Sequence, residues 1–379
     1  MPLFVVIALT VIAGLHFLIY RRTAVAPAWP RRTRIVIAIL IVVFGLLFVG
    51  SWTSMWAPLL SPDGARPFAW AGMIWLAFGL YLVLGLLVVA IVAGVVRLRG
   101  GPGAEGTRLR VNRIGVITSL VIAAATTGWG IVEAADPDIT AWEVTSDELP
   151  EQFDGTKVVV LSDLHIGAVN SDRLAQDAVD MANAADPDIV ILAGDVIEGS
   201  ASRYGYQLAP LADLQAELGV YAVTGNHEFI SGEPEAWMDL WDDLGITVLQ
   251  NESVTVEQDG ASITIAGVHD AMGDGDLVAD PAAALAGIDA DEFILYVAHQ
   301  PSQAEDAQGF GIDLQVSGHT HGGQLWPMHY AVLASQPMLD GRAYVGDVDV
   351  ITSRGASAWG PPVRVGAPPE IPVITLRSS

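Results

Sequence analysis

The first third of the chain contains four long apolar runs that are separated by shorter polar segments. Each run is close to the roughly twenty apolar residues that a helix needs to cross a hydrocarbon layer about 30 Å thick. The pattern therefore predicts a helical transmembrane region at residues 1–134. Its four predicted helices span residues 3–20, 35–56, 68–96 and 114–132.

A cleaved signal peptide is the alternative interpretation of the first apolar run. Such a peptide begins with a positively charged segment and ends in a cleavage site of small residues. Neither feature is evident around residues 3–20. The sequence therefore favours a retained membrane anchor.

The pattern of apolar positions changes after residue 135. Residues 135–156 are polar with several prolines, which indicates a linker that becomes an edge strand. Short β-branched runs at 157–161 and 188–192 predict buried strands, and Ser171 is a plausible N-cap for a helix that reaches residue 185. Strands that alternate with helices predict an α/β domain at residues 157–379, whose site gathers at the carboxyl ends of the strands.

Later in the chain, short runs alternate between apolar and polar positions. Residues 247–249, 253–257 and 262–266, with a turn at 258–260, predict hairpins of a second sheet. A further buried strand is predicted at 293–297.

Composition separates the two parts of the chain. Of all residues 52% are hydrophobic, the mean hydropathy is +0.44 and the net charge is −25. Of the 43 acidic residues, 40 follow residue 134, whereas 11 of the 18 basic residues precede it. A strongly acidic domain repels polyanions, so no nucleic-acid partner is expected. The chain contains no cysteine, which excludes disulfides.

The arginines of the first third are unevenly distributed. Five lie between the first and second predicted helices and five between the third and fourth, whereas the loop between the second and third holds only Arg66. Basic loops remain on the cytoplasmic side of a membrane. The sequence therefore predicts a multi-pass cell-membrane protein whose acidic domain is extracytoplasmic.

Five polar motifs follow apolar runs of the acidic domain. They are Asp163-Leu164-His165, Gly194-Asp195, Gly225-Asn226-His227-Glu228, His299, and Gly318-His319-Thr320-His321. Two neighbouring divalent ions require a shared carboxylate and several imidazoles. Mixed nitrogen and oxygen ligands suit Mn, Fe or Zn. The motifs therefore predict a site for two divalent metal ions.

The order of these motifs resembles the calcineurin-like metallophosphoesterase family. Its membrane-associated bacterial branch also has Gly-Gly-Gln after the last motif, here 322–324, and an ending that here contains Arg354-Gly355, Arg364 and Glu370. The resemblance implies a four-layer α/β/β/α domain, in which two packed mixed sheets are flanked by helices.

The resemblance also implies roles for individual residues. One ion would be held by Asp163, His165 and His321, and the other by Asn226, His299 and His319, with Asp195 bridging them. His227 would be catalytic, contacting a phosphoryl oxygen and assisting the leaving group. A hydroxide that bridges the two ions would attack phosphorus.

Three further residues keep two interpretations each. Arg354 and Arg364 are candidates to bind a substrate phosphate by bidentate hydrogen bonds, and salt bridges to nearby acids are the alternative. Glu228 either orients the site loops or only begins a helix.

The resulting hypothesis is a membrane-anchored, dinuclear-metal phosphoesterase. Its substrates would be phosphate monoesters or diesters of phospholipids or cell-envelope components, because tethering raises the effective concentration of such esters. The alternative is a non-enzymatic membrane protein whose outer domain is a metal-dependent binding or sensing module.

Overall fold

The computed structural model describes residues 2–54, 60–289 and 291–379. The chain divides into two compact units, one formed by Met1–Ser54 and Gly64–Ile131 and the other by Met55–Asp63 and Val132–Ser379. The first unit is helical and the second is α/β. We describe each unit separately.

The helical unit consists of long apolar helices. Its helices are α1 (Pro2–Tyr20), α2 (Arg31–Ser54), α3 (Pro62–Arg99) and α4 (Ala104–Ala134), and a π-helix, Arg21–Val25, follows α1. Within the described residues, α2, α3 and α4 are long and apolar enough to cross a membrane. The end of the second predicted helix, Met55 and Trp56, lies outside the described residues.

Small residues bring α2 and α3 close together. Ala69 and Ala77 of α3 are buried, and a Cβ added to Gly72 would lie 2.4 Å from the carbonyl oxygen of Leu47 in α2. Helices in lipid associate through such close contacts, because burying apolar side chains there gains little. His16 of α1 accepts a hydrogen bond of 3.0 Å from Trp75 of α3.

Twelve strands and six helices form the described α/β unit. The strands are β1 (Asp138–Ser146), β2 (Lys157–Leu161), β3 (Ile189–Ala193), β4 (Val220–Val223), β5 (Thr247–Val248), β6 (Glu252–Gln258), β7 (Ala261–Gly267), β8 (Ile294–Val297), β9 (Leu314–Ser317), β10 (Gly341–Val345), β11 (Val348–Thr352) and β12 (Glu370–Ser378). The helices are α5 (Asp172–Ala184), α6 (Ala201–Tyr204), α7 (Asn226–Ile230), α8 (Pro234–Asp243), α9 (Pro281–Ala284) and α10 (His329–Val332).

The strands form two mixed sheets of six strands each. Their orders are β1-β12-β2-β3-β4-β5 and β10-β11-β9-β8-β7-β6. In the first sheet β2 to β5 are parallel, and in the second β7, β8, β9 and β11 are parallel. A shared apolar core holds side chains of both sheets, including Val158 and Ile191 of the first and Ile265 and Leu295 of the second. The two packed mixed sheets with flanking helices confirm the predicted fold class.

One local prediction differs from the structure. Residues 247–249 were expected in the second sheet, but β5 pairs in parallel with β4 of the first sheet. Only β6 and β7 form the predicted hairpin. A 3-10 helix, Gly205–Asp213, lies in the connection between β3 and β4.

Candidate metal centre

The candidate ligands follow the carboxyl ends of parallel strands. Asp163, Asp195 and His299 each come two residues after the end of their strand, β2, β3 and β8. Asn226 follows β4, and His319 follows β9. Because the carboxyl ends of parallel strands meet at one edge of a sheet, short local sequences bring distant residues together. Each sheet contributes one such edge to the centre.

The backbone of these loops is unusual. Asp163, His165, Asp195, His319 and His321 all have positive φ, between 46° and 71°. Residues other than glycine rarely adopt this left-handed region, because Cβ crowds the backbone there. Strained conformations of this kind concentrate at functional sites and persist only where the surrounding structure imposes them.

Glycines at two of the motifs permit very close packing. A Cβ added to Gly318 would lie 1.7 Å from Ser162 Oγ and 2.3 Å from Asp163 Oδ2. A Cβ on Gly225 would lie 2.3 Å from Asp195 Oδ1. Glycine is therefore required here because the chain passes directly over the carboxylates, and Gly318 itself does not have a positive φ.

One group of donor atoms joins the loops after β2 and β9. His165 Nε2 lies 3.1 Å from His321 Nε2, and His321 Nε2 lies 3.3 Å from Asp163 Oδ1. All three residues are buried. The ring nitrogens and the carboxylate oxygen face one another within 4.8 Å.

A second group joins the loops after β3, β4, β8 and β9. His299 Nε2 lies 3.2 Å from Asp195 Oδ2 and 3.3 Å from Asn226 Oδ1. His319 Nδ1 lies 2.7 Å from the same Asn226 oxygen. His299 Nδ1 donates to the Ala193 carbonyl oxygen at 2.7 Å, so Nε2 is the ring nitrogen that faces the group.

Asp195 lies between the two groups. Its Oδ2 is 3.8 Å from His165 Nε2 of the first group and 3.2 Å from His299 Nε2 of the second. Burial alone would raise the pKa of Asp195, but the neighbouring charges of His299 and His227 hold this pKa well below its usual range. Burial and the charge of His299 lower the pKa of His319 to about 3. The centre therefore holds an ionised carboxylate beside imidazole lone pairs.

The donor atoms fit divalent cations. Two ligand atoms that each lie about 2.1 Å from one ion at right angles are about 3 Å apart, which is close to the separations within each group. His165 Nε2 and His321 Nε2 also face each other at 3.1 Å, where at most one proton can lie between them. A cation would satisfy both lone pairs together with the Asp163 carboxylate. The ligand types again suit Mn, Fe or Zn.

His227 lies beside the two groups and contacts a carboxylate that the sequence analysis missed. Its Nδ1 is 3.2 Å from Oε2 of Glu198, which also lies 3.4 Å from His165 Nδ1. Burial would raise the pKa of Glu198, but the charges of His227 and His165 lower it to about 2. Burial would lower the pKa of His227, and Glu198 and Asp195 raise it to about 10. The available signal was an acid three residues after Asp195, within the same loop.

Glu228 connects two of the site loops. Its buried carboxylate accepts hydrogen bonds from the backbone N–H groups of Asp195, Val196 and Gly225, at 3.1, 3.0 and 2.6 Å. Burial, together with the charge of Asp195, raises the pKa of Glu228 to about 8. Glu228 lies in the first turn of α7 and also holds the Asp195 loop, so its role is not limited to beginning a helix.

The two candidate phosphate-binding arginines are engaged within the protein. Arg364 is fully buried, donates to the carbonyl oxygens of His321 and Ala367, and its Nη2 lies 3.1 Å from His321 Nδ1. Burial lowers its pKa to about 9. The buried guanidinium of Arg364 holds the His321 loop, and binding of a substrate phosphate by Arg364 stays a prediction. Arg354 Nη2 forms a salt bridge of 2.7 Å with Glu370, which was the alternative.

Comparison with known proteins gives consistent matches. The family model described as calcineurin-like phosphoesterase matches residues 156–323, which contain all seven proposed ligands and His227. One relative is a zebrafish (Danio rerio) protein named transmembrane protein with metallophosphoesterase domain. It is 32% identical over 277 residues, and the match covers 69% of this chain and 63% of the length of the zebrafish protein. The bovine (Bos taurus) protein of the same name is 33% identical, covering 66% and 60%.

Bacterial relatives match as well. An uncharacterised metallophosphoesterase of Bacillus subtilis is 28% identical over 278 residues, covering 70% of this chain and 96% of its own. By contrast, the matches span only about three fifths of the two vertebrate proteins. The family model and these relatives together show that the chain belongs to the calcineurin-like metallophosphoesterase family.

Proposed function

We propose that the protein is a metal-dependent phosphoesterase. The observation that carries this proposal is the pair of donor groups with Asp195 Oδ2 between them, near His165 of one and His299 of the other, and with His227 and Glu198 beside them. Asp163, His165 and His321 would hold one ion, Asn226, His299 and His319 the other, and Asp195 would bridge them. When bound, two divalent ions supply a readily deprotonated water molecule and positive charge for the transferring phosphoryl group.

The protein residues supply orientation and proton transfer. His227 Nδ1 lies 3.2 Å from Glu198 Oε2, which leaves His227 Nε2 as the ring atom that faces substrate and delivers a proton to the leaving oxygen. Glu228 holds the Asp195 and Asn226 loops together through their backbone N–H groups, and Arg364 supports the His321 loop. Rigid support of this kind keeps ligands and acid in the geometry that the reaction needs.

Metal removal tests the proposal. The purified chain in detergent should hydrolyse p-nitrophenyl phosphate monoesters or diesters, lose this turnover after chelation, and regain it when Mn, Fe(II) or Zn is added back. Metal uptake without turnover of any phosphate ester would contradict the proposal and favour a metal-dependent binding or sensing module.

The physiological substrates that we propose are phosphate esters of lipids or the cell envelope. Three helices that are long and apolar enough to cross a membrane support anchoring of the chain, and the two vertebrate relatives carry the word transmembrane in their names. An anchored domain meets membrane esters at high effective concentration. Phospholipids and soluble esters should therefore be assayed side by side, and faster turnover of the soluble esters would contradict a membrane substrate.

We further propose that the protein spans the membrane several times and that the α/β unit is extracytoplasmic, because both arginine-rich loops are then cytoplasmic. The absence of native cysteine allows single-cysteine labelling. Thr145→Cys on β1 should react with an impermeant maleimide in intact cells, and Thr107→Cys in α4 should react only after permeabilisation. Both side chains are exposed in the structure, so the reverse pattern would overturn the orientation.

A further inference from the structure

The helical unit contains a cavity of about 620 Å³ that is lined by Arg21, Arg22, Arg97 and Arg108. Its volume lies within the range of about 300–1,000 Å³ that is typical of small-molecule sites. Arg21 and Arg22 directly follow α1, Arg97 lies in the last turn of α3, and Arg108 lies near the beginning of α4. Four arginines therefore line one cavity where three helix ends meet.

These four arginines have no anionic partner within the part of the chain that the structure describes. No ion pair joins any of them to an acid there. Glu105 lines an adjoining cavity with Arg97 and Arg108, but in the described ranges it forms no ion pair with either. The nearby Arg113, by contrast, is engaged, because its Nε donates to the Pro27 carbonyl oxygen at 2.9 Å. The cavity therefore carries uncompensated positive charge.

Apart from Asn112, the rest of the cavity lining consists of apolar residues and glycines. Phe17, Leu18 and Ala90 are among the lining residues. Phe17 and Leu18 precede the arginines on α1, so the apolar part lies toward the middle of the helices and the charged part at their ends. A free phosphate ion would use only the charged part. A phospholipid would use both, because its phosphate adjoins its acyl chains.

Local backbone features keep this space open. Residues Arg21–Val25 form a π-helix, in which Ala26 N donates to Arg21 O at 2.9 Å. Single π-turns are rare and are frequently found at functional sites. A Cβ added to Gly14 or Gly94, which also line the cavity, would meet no atom within 4 Å.

The positive-inside rule explains why arginines occur in these loops. It does not explain why four of them line one cavity while Arg31, Arg32, Arg99 and Arg110 of the same loops are absent from its lining. Basic pockets between transmembrane helices on the cytoplasmic side recognise anionic lipid headgroups. Arginine suits this role because its planar fork binds phosphate oxygens with two hydrogen bonds.

We propose that this cavity binds the headgroup of an anionic phospholipid, with the four arginines on the phosphate and the acyl chains against Phe17 and Leu18. The proposal rests on the membrane insertion proposed above but not on catalysis, since the cavity shares no residue with the metal centre. The bound lipid would anchor α1, α3 and α4 to one another at their cytoplasmic ends.

Lipid binding to the purified full chain, measured by native mass spectrometry from detergent, tests the proposal. Phosphatidylglycerol should bind about tenfold or more tightly than phosphatidylcholine. A triple variant, Arg21→Gln, Arg22→Gln and Arg97→Gln, should lose this preference. Its matched control, Arg31→Gln, Arg32→Gln and Arg99→Gln, removes the same charge from the same loops and should keep it. Equal loss of the phosphatidylglycerol preference in both variants would indicate nonspecific electrostatic attraction of the lipid to the basic loops. That result would overturn the proposal.

A second pair of variants tests the cavity without changing charge. Gly94→Leu should fill the space and weaken phosphatidylglycerol binding, whereas Gly79→Leu, also open but outside the lining of the cavity, should not. Glycerol 3-phosphate serves as the soluble probe, and competition as strong as that of the lipid would show a free-phosphate site and contradict the proposal. Ester hydrolysis by the same preparations reports separately on the proposed function.

Discussion

Replacing Asp195 with asparagine is expected to lower kcat/KM for p-nitrophenyl esters by about 10³-fold or more and to reduce bound metal from two equivalents. Asp195 Oδ2 is the only carboxylate oxygen near both His165 and His299, at 3.8 and 3.2 Å, in the described part of the chain. Asparagine keeps the shape but loses the charge and one of the two oxygens. Losing several kcal/mol of charge stabilisation corresponds to a rate effect of this size.

Metal content and rate should be measured on the same preparation, by elemental analysis and by steady-state kinetics. Asp239→Asn is the matched control, because Asp239 is exposed on α8 and distant in sequence from every candidate ligand. The loop that contains residue 195 should keep its conformation in the Asp195→Asn variant, since Glu228 accepts hydrogen bonds from its backbone N–H groups. If the Asp195→Asn variant kept two equivalents of metal and a kcat/KM within a few-fold of the parent value, the bridging role of Asp195 would be disproved.

The second large effect is expected at His227. His227→Ala should lower kcat by about 10²–10⁴-fold, the usual contribution of a positioned acid or base, while both metal ions remain bound. The reason is that His227 Nδ1 contacts Glu198 and the ring belongs to neither proposed ligand set. Glu198→Gln should cause a smaller loss of about 10–100-fold, because it removes only the group that orients the ring.

The choice of leaving group separates a proton donor from a purely structural residue. Nitrophenolate leaves without much help, whereas an alkoxide requires a proton. His227→Ala should therefore be impaired more on an alkyl phosphate than on the p-nitrophenyl ester. His329→Ala, which changes a histidine outside the centre, should leave both rates unchanged. Equal losses on both esters, or loss of metal, would contradict the role of His227 as the acid.

Much of the fold could be predicted because strands and helices depend on the local pattern of apolar and polar residues. Residues 157–161 form a strand since four consecutive apolar positions after Lys157, three of them β-branched, suit a strand buried on both faces, and β2 has these bounds. Ser171 caps α5 because its side chain accepts from Arg173 N. The partners of the strands could not be derived in this way. Residues 247–248 join the first sheet because the chain returns beside β4 after α8.

The candidate site could likewise be predicted from the sequence only in part. Its residue types were visible because each ligand lies in a short motif after a strand. Glu198 was missed because its role depends on two histidines that are 33 positions before it and 29 after it in the chain. Arg364 was predicted to bind phosphate because an arginine near a phosphate site is expected to face the substrate, and only packing shows that its guanidinium is buried against His321.

The sequence by itself determined the apolar helices of the first third, the α/β alternation after it and the order of the metal-binding motifs. These features follow from hydrophobic periodicity and from residue chemistry, which act over a few neighbouring positions. Only the tertiary structure decided which donor atoms meet at Asp195, which carboxylate supports His227, and which arginines line a cavity in the helical unit. Those relations arise from contacts between distant segments, and packing of the complete chain determines them.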